Sequence, residues 1–467
     1  MKRILLILSL ISGLWLQGQC YESVHLGGGH TVATKSDGTL WGWGRADGGQ
    51  LHSNVTREYV PKQLGTDTNW SSVFCGGLNT FAIKNNGTLW GTGSNNYGCL
   101  GVNSTIQAFS TFQQIGTASN WTKVAAGSNF TIGLKVDGTI WGWGQNDSNQ
   151  LGQGPGNSSA EELSPLQIGT ATDWVDIAVG TNRTAFALKS DGTLWAWGSN
   201  PSSIIMPDSG SNPSVSSPTQ VTTVSNWVKM RVGGSHILAQ KADGTLWAWG
   251  GGENPIGQGG TVMVTNTPQA IGTGTWKDFG TGPGYCVAIK SDGTLWAWGN
   301  NNNSALGDGT TTTTNLPIQI GTSNDWETVQ VSLSFHTMLT KTDGTVWYWG
   351  PNNYYATYGG NTTVSTVAIQ MPNVCVGPTL SSEDFTAADS ISLYPNPSKG
   401  MVTLDYQLET AAQLQVIDVS GRVVLERELV AAETSVQFAT TAMASGVYAV
   451  QVLGSDGGVW RRKLIVE

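Results

Sequence analysis

One phrase, Asp/Asn-Gly-Thr-(Leu/Ile/Val)-Trp-x-(Trp/Thr)-Gly, returns seven times along this chain, starting at positions 37, 86, 137, 191, 243, 292 and 343. The intervals are 49, 51, 54, 52, 49 and 51 residues. A repeat of this size is a supersecondary unit that buries its apolar faces only against its neighbours, so the chain must form a solenoid, a propeller or an array. Within each period four short pieces recur. They are Pro-x-Gln-Ile (Pro165 to Ile168), Asn-Trp-x-x-Val (Asn120 to Val124), an apolar stretch ending in lysine (Phe186 to Lys189), and the Trp-x-Trp phrase itself.

The last two pieces are joined by Asp-Gly six times and Asn-Gly once, the signal for a two-residue hairpin in which both turn residues take positive φ. Trp41 and Trp43 stand two apart and so share one face of a strand. Four strands per unit in seven units, without helical spacing, predict an all-β fold: a seven-bladed β-propeller. Of the 21 tryptophans, 19 fall at three recurring positions. Each large ring buries roughly 150–250 Å², so these indoles are expected to hold neighbouring sheets together rather than to stack on a ligand. Thr92 replaces the second tryptophan of unit two, whose packing should be the weakest.

Unit one starts at Tyr21 and has no Pro-x-Gln-Ile strand before it, whereas unit seven ends in Ala368-Ile369-Gln370-Met371. The expected closure places that last strand beside the first three. A disulfide between Cys20 and Cys375 is expected to stand in for the connector found in the other units, adding roughly 2–5 kcal/mol. Cys75 and Cys99 lie in one unit and are a candidate second pair. Cys286 is expected to be a small buried thiol.

The 467 residues exceed one compact core. Net charge is -9, only 12% of residues are charged, and no basic stripe of the kind nucleic acid requires is visible. Lys2 and Arg3 precede an apolar run from Ile4 to Leu16, which reads as an export signal over residues 1–18. Its thirteen residues fall short of the roughly 20 that span a bilayer, so no transmembrane span is expected in the mature protein. An exported chain meets conditions that permit disulfides.

The units resemble those of the regulator of chromosome condensation family over about residues 21–371. The resemblance rests on Gly27-Gly28-Gly29-His30-Thr31, Leu40-Trp41-Gly42-Trp43-Gly44 and Asn149-Gln150-Leu151-Gly152. It implies a propeller spanning 19–376. The family's founding activity is nucleotide exchange on a nuclear GTPase, and its members also include a secreted bacterial inhibitor of β-lactamases and many binding modules. An exported acidic protein meets no such GTPase, so exchange is not the expected activity.

Residues 377–390 read as a polar linker, and 391–467 show period-two runs that suggest a small C-terminal β-sandwich. Tyr394, Pro395, Asn396, Pro397 and Gly400, with Gly446-Val447-Tyr448 and Lys463-Leu464-Ile465-Val466, resemble type IX secretion sorting domains of Bacteroidota. That resemblance implies a partner in the type IX machinery, passage across both membranes, and then release or attachment at the cell surface.

No catalytic constellation is visible, and neither cofactor nor metal is expected. His30, His236 and His336 occupy one equivalent slot, but the same slot holds Phe130 and Tyr285 elsewhere, which suits packing better than zinc ligation. The irregular loops are the candidates for partner contact: Ile204, Ile205 and Met206 in unit four, and Tyr354, Tyr355 and Tyr358 in unit seven. The reading is a secreted or surface-displayed non-catalytic scaffold that binds a protein or glycan through its loops. The alternatives are a carbohydrate-active enzyme with its site in the central depression, or an inhibitor of a secreted enzyme.

Overall fold

At each Asp-Gly step glycine alone takes positive φ, 75° at Gly38 and 73° at Gly138, while the aspartate keeps ordinary backbone angles. Gly38 N donates to Lys35 O (2.9 Å) and Lys35 N to Thr39 O (3.0 Å), so the turn holds three residues, not the two expected from the sequence. The cause is local. Asp37 Oδ1 accepts both Thr39 N (3.0 Å) and Thr39 Oγ1 (2.6 Å), which fixes the aspartate in a side-chain turn of its own.

The computed structural model describes residues 20–156, 160–200, 204–205, 214–251, 257–259, 264–332, 334–352, 364–376, 392–394, 398–406, 412–418, 423–430, 433–441, 443, 446–454 and 459–466. The chain divides into two compact units, Met1–Gly377 and Pro378–Glu467. The first contains seven four-stranded antiparallel sheets, each built from consecutive strands. Blade 1 runs Tyr21–Leu26, His30–Lys35, Leu40–Arg45 and Arg57–Gln63. The following blades occupy 70–114, 121–167, 174–220, 227–270, 276–319 and 326–375.

The blade frame differs from the expected one by a strand. Ser365–Cys375 pairs with Thr345–Gly350 of its own blade (Trp347 opposite Gln370, Tyr348 opposite Ile369) and does not complete blade 1. Blade 1 has its own fourth strand, with Trp41 opposite Gln63. The short Gly-Thr-x-x-Asn connectors therefore pass between blades, and the longer loop after the Trp-x-Trp strand stays within one. Loop length misleads here because in blades 1, 2 and 6 that longer loop packs turns and buried side chains of its own.

The ring closes by packing blade 7 against blade 1. Gln330 reaches across, its amide donating to Val24 O and accepting from Leu26 N (3.3 Å), and Ser334 Oγ donates to Gly28 O (2.6 Å). Val376 N donates to Gly344 O (2.8 Å), the bond that the opening tryptophan makes at the other seams, as Trp121 N does to Gly87 O (3.1 Å). A parallel bridge then sets Val376 beside Tyr21. Tyr21, Trp43, Met338, Met371 and Val376 form the apolar filling of this seam.

In every blade the first strands touch those of the neighbouring blades and so lie nearest the axis. The second and third strands are buried, and the fourth faces solvent. In the second unit a three-stranded sheet (Ser392–Tyr394, Met401–Asp405, Ser435–Ala439) and a four-stranded sheet (Val423–Leu429, Ala412–Asp418, Gly446–Gly454, Val459–Val466) share one core around Leu404, Val416, Phe438 and Val450. Among the described residues no helix is long and apolar enough to cross a membrane.

Candidate functional site

The innermost strands carry the charged groups nearest the axis. Two register levels are defined by pairing to the second strands. One holds Ser23, Ser72, Lys123, Asp176, Lys229, Asp278 and Thr328, and the other His25, Phe74, Ala125, Ala178, Arg231, Gly280 and Gln330. On the first level Lys123 is paired with Asp176 of the next blade and Lys229 with Asp278 at 3.0 Å. Asp278 also accepts the Val329 backbone N–H of blade 7 (2.8 Å). These carboxylates are tied to cations and backbone, which leaves them poorly placed for general acid–base work.

Beside the inner strands lies the slot of the three histidines, whose seven occupants His30, Asn79, Phe130, Thr184, His236, Tyr285 and His336 are all buried. Their polar atoms join blade to blade or brace a turn. His30 Nε2 meets Thr80 Oγ1 of the next blade (3.0 Å), His236 Nε2 meets Thr281 Oγ1, and Tyr285 Oη donates to His336 O (3.3 Å). His336 Nδ1 meets Ser332 Oγ within its own blade (2.7 Å). Burial pushes the imidazoles of His30 and His236 down to about 3 and that of His336 to about 4, so all three are neutral. Cys286 Sγ lies 3.4 Å from His236 Nε2, but desolvation raises that thiol to about 12. A protonated thiol beside a neutral imidazole is no nucleophile. No group of three potential metal ligands occurs among the described residues.

Three kinds of aromatic position share the work of holding blades together. The second tryptophans Trp43, Trp143, Trp197, Trp249, Trp298 and Trp349 are fully buried at seams. Their N–H groups reach the preceding blade, from Trp143 to Cys99 O (2.9 Å), Trp197 to Gln150 O (3.0 Å) and Trp349 to Ala305 O (2.7 Å). In blade 2 the Thr92 hydroxyl lies 2.9 Å from Gly49 O and keeps a polar link without the ring. The first tryptophans are part-exposed. Each donates to the turn threonine, as Trp141 does to Thr139 Oγ1 (2.9 Å), and that threonine donates to Asp137 (2.6 Å). The lysine ending the second strand lies over both the first tryptophan and the opening aromatic. Lys241 Nζ is 3.6 Å from the Trp247 ring centroid and 5.3 Å from that of Trp227. This cation–π clamp recurs in all seven blades, and the lysine that closes every apolar stretch was the sequence signal for it.

Models of the regulator of chromosome condensation (RCC1) repeat match residues 37–83, 86–134, 137–187 and 292–339, with a second repeat model at 70–99, 121–150 and 174–203. The propeller is built of regulator of chromosome condensation repeats. A secretion system C-terminal sorting domain matches 392–467, so the chain carries a type IX sorting tail behind its RCC1 propeller. RCC1 domain-containing protein RUG3, mitochondrial, of Arabidopsis thaliana is 29% identical over 52% of this chain and 57% of that protein. The ultraviolet-B receptor UVR8 of the same plant is 26% identical over 51% of this chain and 55% of its own length. The chain thus spans little more than half of these relatives, and only 4% of human E3 ubiquitin-protein ligase HERC2. Among solved structures, human WBSCR16 aligns with TM-score 0.60 at 20% identity, over 68% of this chain and 85% of that one. Prp20p of Saccharomyces cerevisiae aligns with TM-score 0.60 at 23% identity, over 66% and 79%. These structural likenesses establish the fold.

Within the RCC1 blades, the candidate contact residues Ile204 and Ile205 are not loop-surface groups. They are 3% and 0% exposed, in the core between blades 4 and 5. Ile204 O accepts Trp249 Nε1 (3.2 Å), and Ile205 N donates to Asn200 Oδ1 (3.0 Å). The same asparagine bond forms from Leu100 to Asn95, Leu151 to Asn146 and Leu306 to Asn301. Blade 4 therefore keeps the Gln-Leu-Gly element with isoleucine in it, and an asparagine five residues ahead of a branched apolar residue was the readable sign. Met206, Tyr354, Tyr355 and Tyr358 lie outside the described residues.

Cys75 and Cys99 are free thiols, not a pair. Cys75 Sγ faces His25 O (3.6 Å) at the seam with blade 1, whereas Cys99 Sγ faces Ser94 O (3.2 Å) in the loop packed against blade 3. Opposite seams of one blade separate them. Cys20 is disulfide-bonded, while the side chain of Cys375 lies outside the described residues. In the sorting domain Tyr394 is exposed and its hydroxyl donates to Asp405 (2.7 Å); Gly400 O accepts Thr440 Oγ1 (2.8 Å). Pro395, Asn396 and Pro397, like the signal segment 1–18 and the linker 377–390, lie outside the described residues.

Proposed function

We propose that this protein is an exported, non-catalytic scaffold that binds an extracellular protein or glycan, delivered by the type IX machinery and then released or held at the cell surface. The observation that carries the reading is the sorting tail behind a propeller whose chemically able groups are already engaged. Its carboxylates nearest the axis are ion-paired, its slot histidines are neutral, and the thiols of Cys75, Cys99 and Cys286 are pushed by burial up to about 12. Recognition then falls to loops, with the tyrosines at 354, 355 and 358 as the first to test, because tyrosine offers a large contact at low entropy cost.

The deciding experiment has two arms. The chain and a version ending at residue 390 are expressed in a type IX-competent bacterium. The intact chain should reach the medium or cell surface, and the shortened one should stay in the periplasm. Crosslinking of the exported product in its native setting should then yield one saturable partner, lost when the three tyrosines are changed to serine. Turnover of a polysaccharide panel without any partner would replace the scaffold reading with the carbohydrate-active one.

A further inference from the structure

The cations on the inner strands follow a pattern with one break. Lys123 is met by Asp176 on the next blade, Lys229 by Asp278, and Lys277 by Glu327 (2.5 Å), each at the same register place one blade forward. Arg231 is met at its register place by Gly280. Its Nη1 donates to the carbonyl of Met230 (2.9 Å), and no carboxylate pairs with it among the described residues. The other members of that level are His25, Phe74, Ala125, Ala178 and Gln330, so the level contains no acid at all. Gln330 is occupied with blade 1, and the alanines and glycine of that level offer no polar side chain to pair with the arginine.

The geometry points to an oxyanion site at the axis of the ring, in which Arg231 takes a carboxylate or phosphate group of a small ligand. The guanidinium offers a planar fork of donors matched to either group. Low-dielectric walls make an unmatched cation there worth more than the same cation on the surface. Burial first, and then the charges of Lys123 and Arg231, hold the His25 imidazole down at about 4, which fits inner-strand groups of blades 1, 3 and 5 lying close around the axis. Phe74, with its ring 6.3 Å from that of His25, adds an apolar wall. In a protein of net charge -9, Arg231 is thus the charged side chain of a level that holds no acid. The site is independent of the loops and of export.

The test uses the mature full-length chain, titrated with citrate and separately with inorganic phosphate. Each is compared with sodium chloride at equal ionic strength and followed by calorimetry and by the shift in melting temperature. Saturable binding of one anion is expected, with at least a tenfold weaker dissociation constant in Arg231→Gln. Citrate bound more tightly identifies a carboxylate ligand, and phosphate bound more tightly a phosphoryl one. Ala178→Asp, which leaves Arg231 in place and supplies the missing acid from blade 4, should abolish binding while retaining the wild-type circular dichroism. Lys277→Gln, on the same inner strands, should bind as the wild type does. Equal affinity in wild type and in either Arg231→Gln or Ala178→Asp, or no binding above the chloride control, overturns the assignment.

Discussion

Replacing His236 by phenylalanine should make the protein less stable near neutral pH and more stable in mild acid. His236 is fully buried, and desolvation alone holds its imidazole at about 3, against an ordinary 6.5. In the unfolded chain it takes up a proton below 6.5, while in the folded chain it does not. A depressed folded value means that stability is complete above pH 6.5 and is lost as pH falls toward 3, at about 1.4 kcal/mol per unit. By pH 5 the loss is about 2 kcal/mol from this residue, and about 6 kcal/mol when the equally buried His30 and His336 are included. Against a total stability on the order of 5–15 kcal/mol that is a large share.

Phenylalanine suits the site because blade 3 holds Phe130 there, with the same glycine three residues before it that Gly233 provides for His236. The substitution forfeits the hydrogen bond to Thr281, about 1 kcal/mol, and abolishes the titration. The two stability curves should therefore cross at about pH 5.8, where the 1.4 kcal/mol per unit slope has offset that loss. Urea unfolding between pH 7.5 and 5.0, followed by indole fluorescence, reads the ring directly, since 19 of the 21 tryptophans lie between residues 41 and 349. The hairpin aspartates do not confuse this window. The Thr139 hydroxyl, followed by its backbone N–H, holds Asp137 below the ordinary carboxylate range, so its contribution is lost only in stronger acid. A stability difference between variant and wild type that stays constant from pH 7.5 to 5.0 would refute the argument.

Trp249→Phe strands the buried Ile204 carbonyl and should cost about 1–3 kcal/mol more than Trp227→Phe. The Trp227 N–H has no hydrogen-bond partner among the described residues, and equal urea midpoints would count against seam bonding by the second tryptophans. Gly138→Ala should destabilise by more than Gly116→Ala, which pays only the roughly 1 kcal/mol of positive-φ strain: a methyl at 138 would also collide with the Thr172 carbonyl, whereas nothing stands within 4 Å of one at 116. Thermal melts of the pair distinguish strain from collision. The Tyr21 to Val376 bridge sets the proposed Cys20–Cys375 bond at the closing seam. Non-reducing peptide mapping should recover those two peptides joined, and Cys20→Ser should lower stability by roughly 2–5 kcal/mol.

The blade number and the structural use of the indoles were legible because every unit repeats the same spacing, and a seven-fold signal averages out local ambiguity. Blade framing was not legible. The strand at Ala368 to Met371 carries no mark that tells pairing with Trp347 from pairing across the seam; only the hydrogen-bond ladder decides that. Ile204 and Ile205 read as an irregular insertion because the identity of the loop lies in the Asn200 side chain and one carbonyl, and backbone contacts leave little trace in residue names. Cys75 and Cys99 were near in sequence yet face opposite seams, a distinction that alternation along a strand cannot make between elements.

What the sequence determined by itself is the periodic part: seven units, all strand, aromatic at fixed places, with a sorting tail behind them. Strand period and turn chemistry act over a few residues, so they can be read from a few residues. What the tertiary structure alone decided is which groups meet across seams and around the axis. The match of Lys229 with Asp278 and the mismatch of Arg231 with Gly280 join positions about fifty residues apart, and only ring closure sets them side by side.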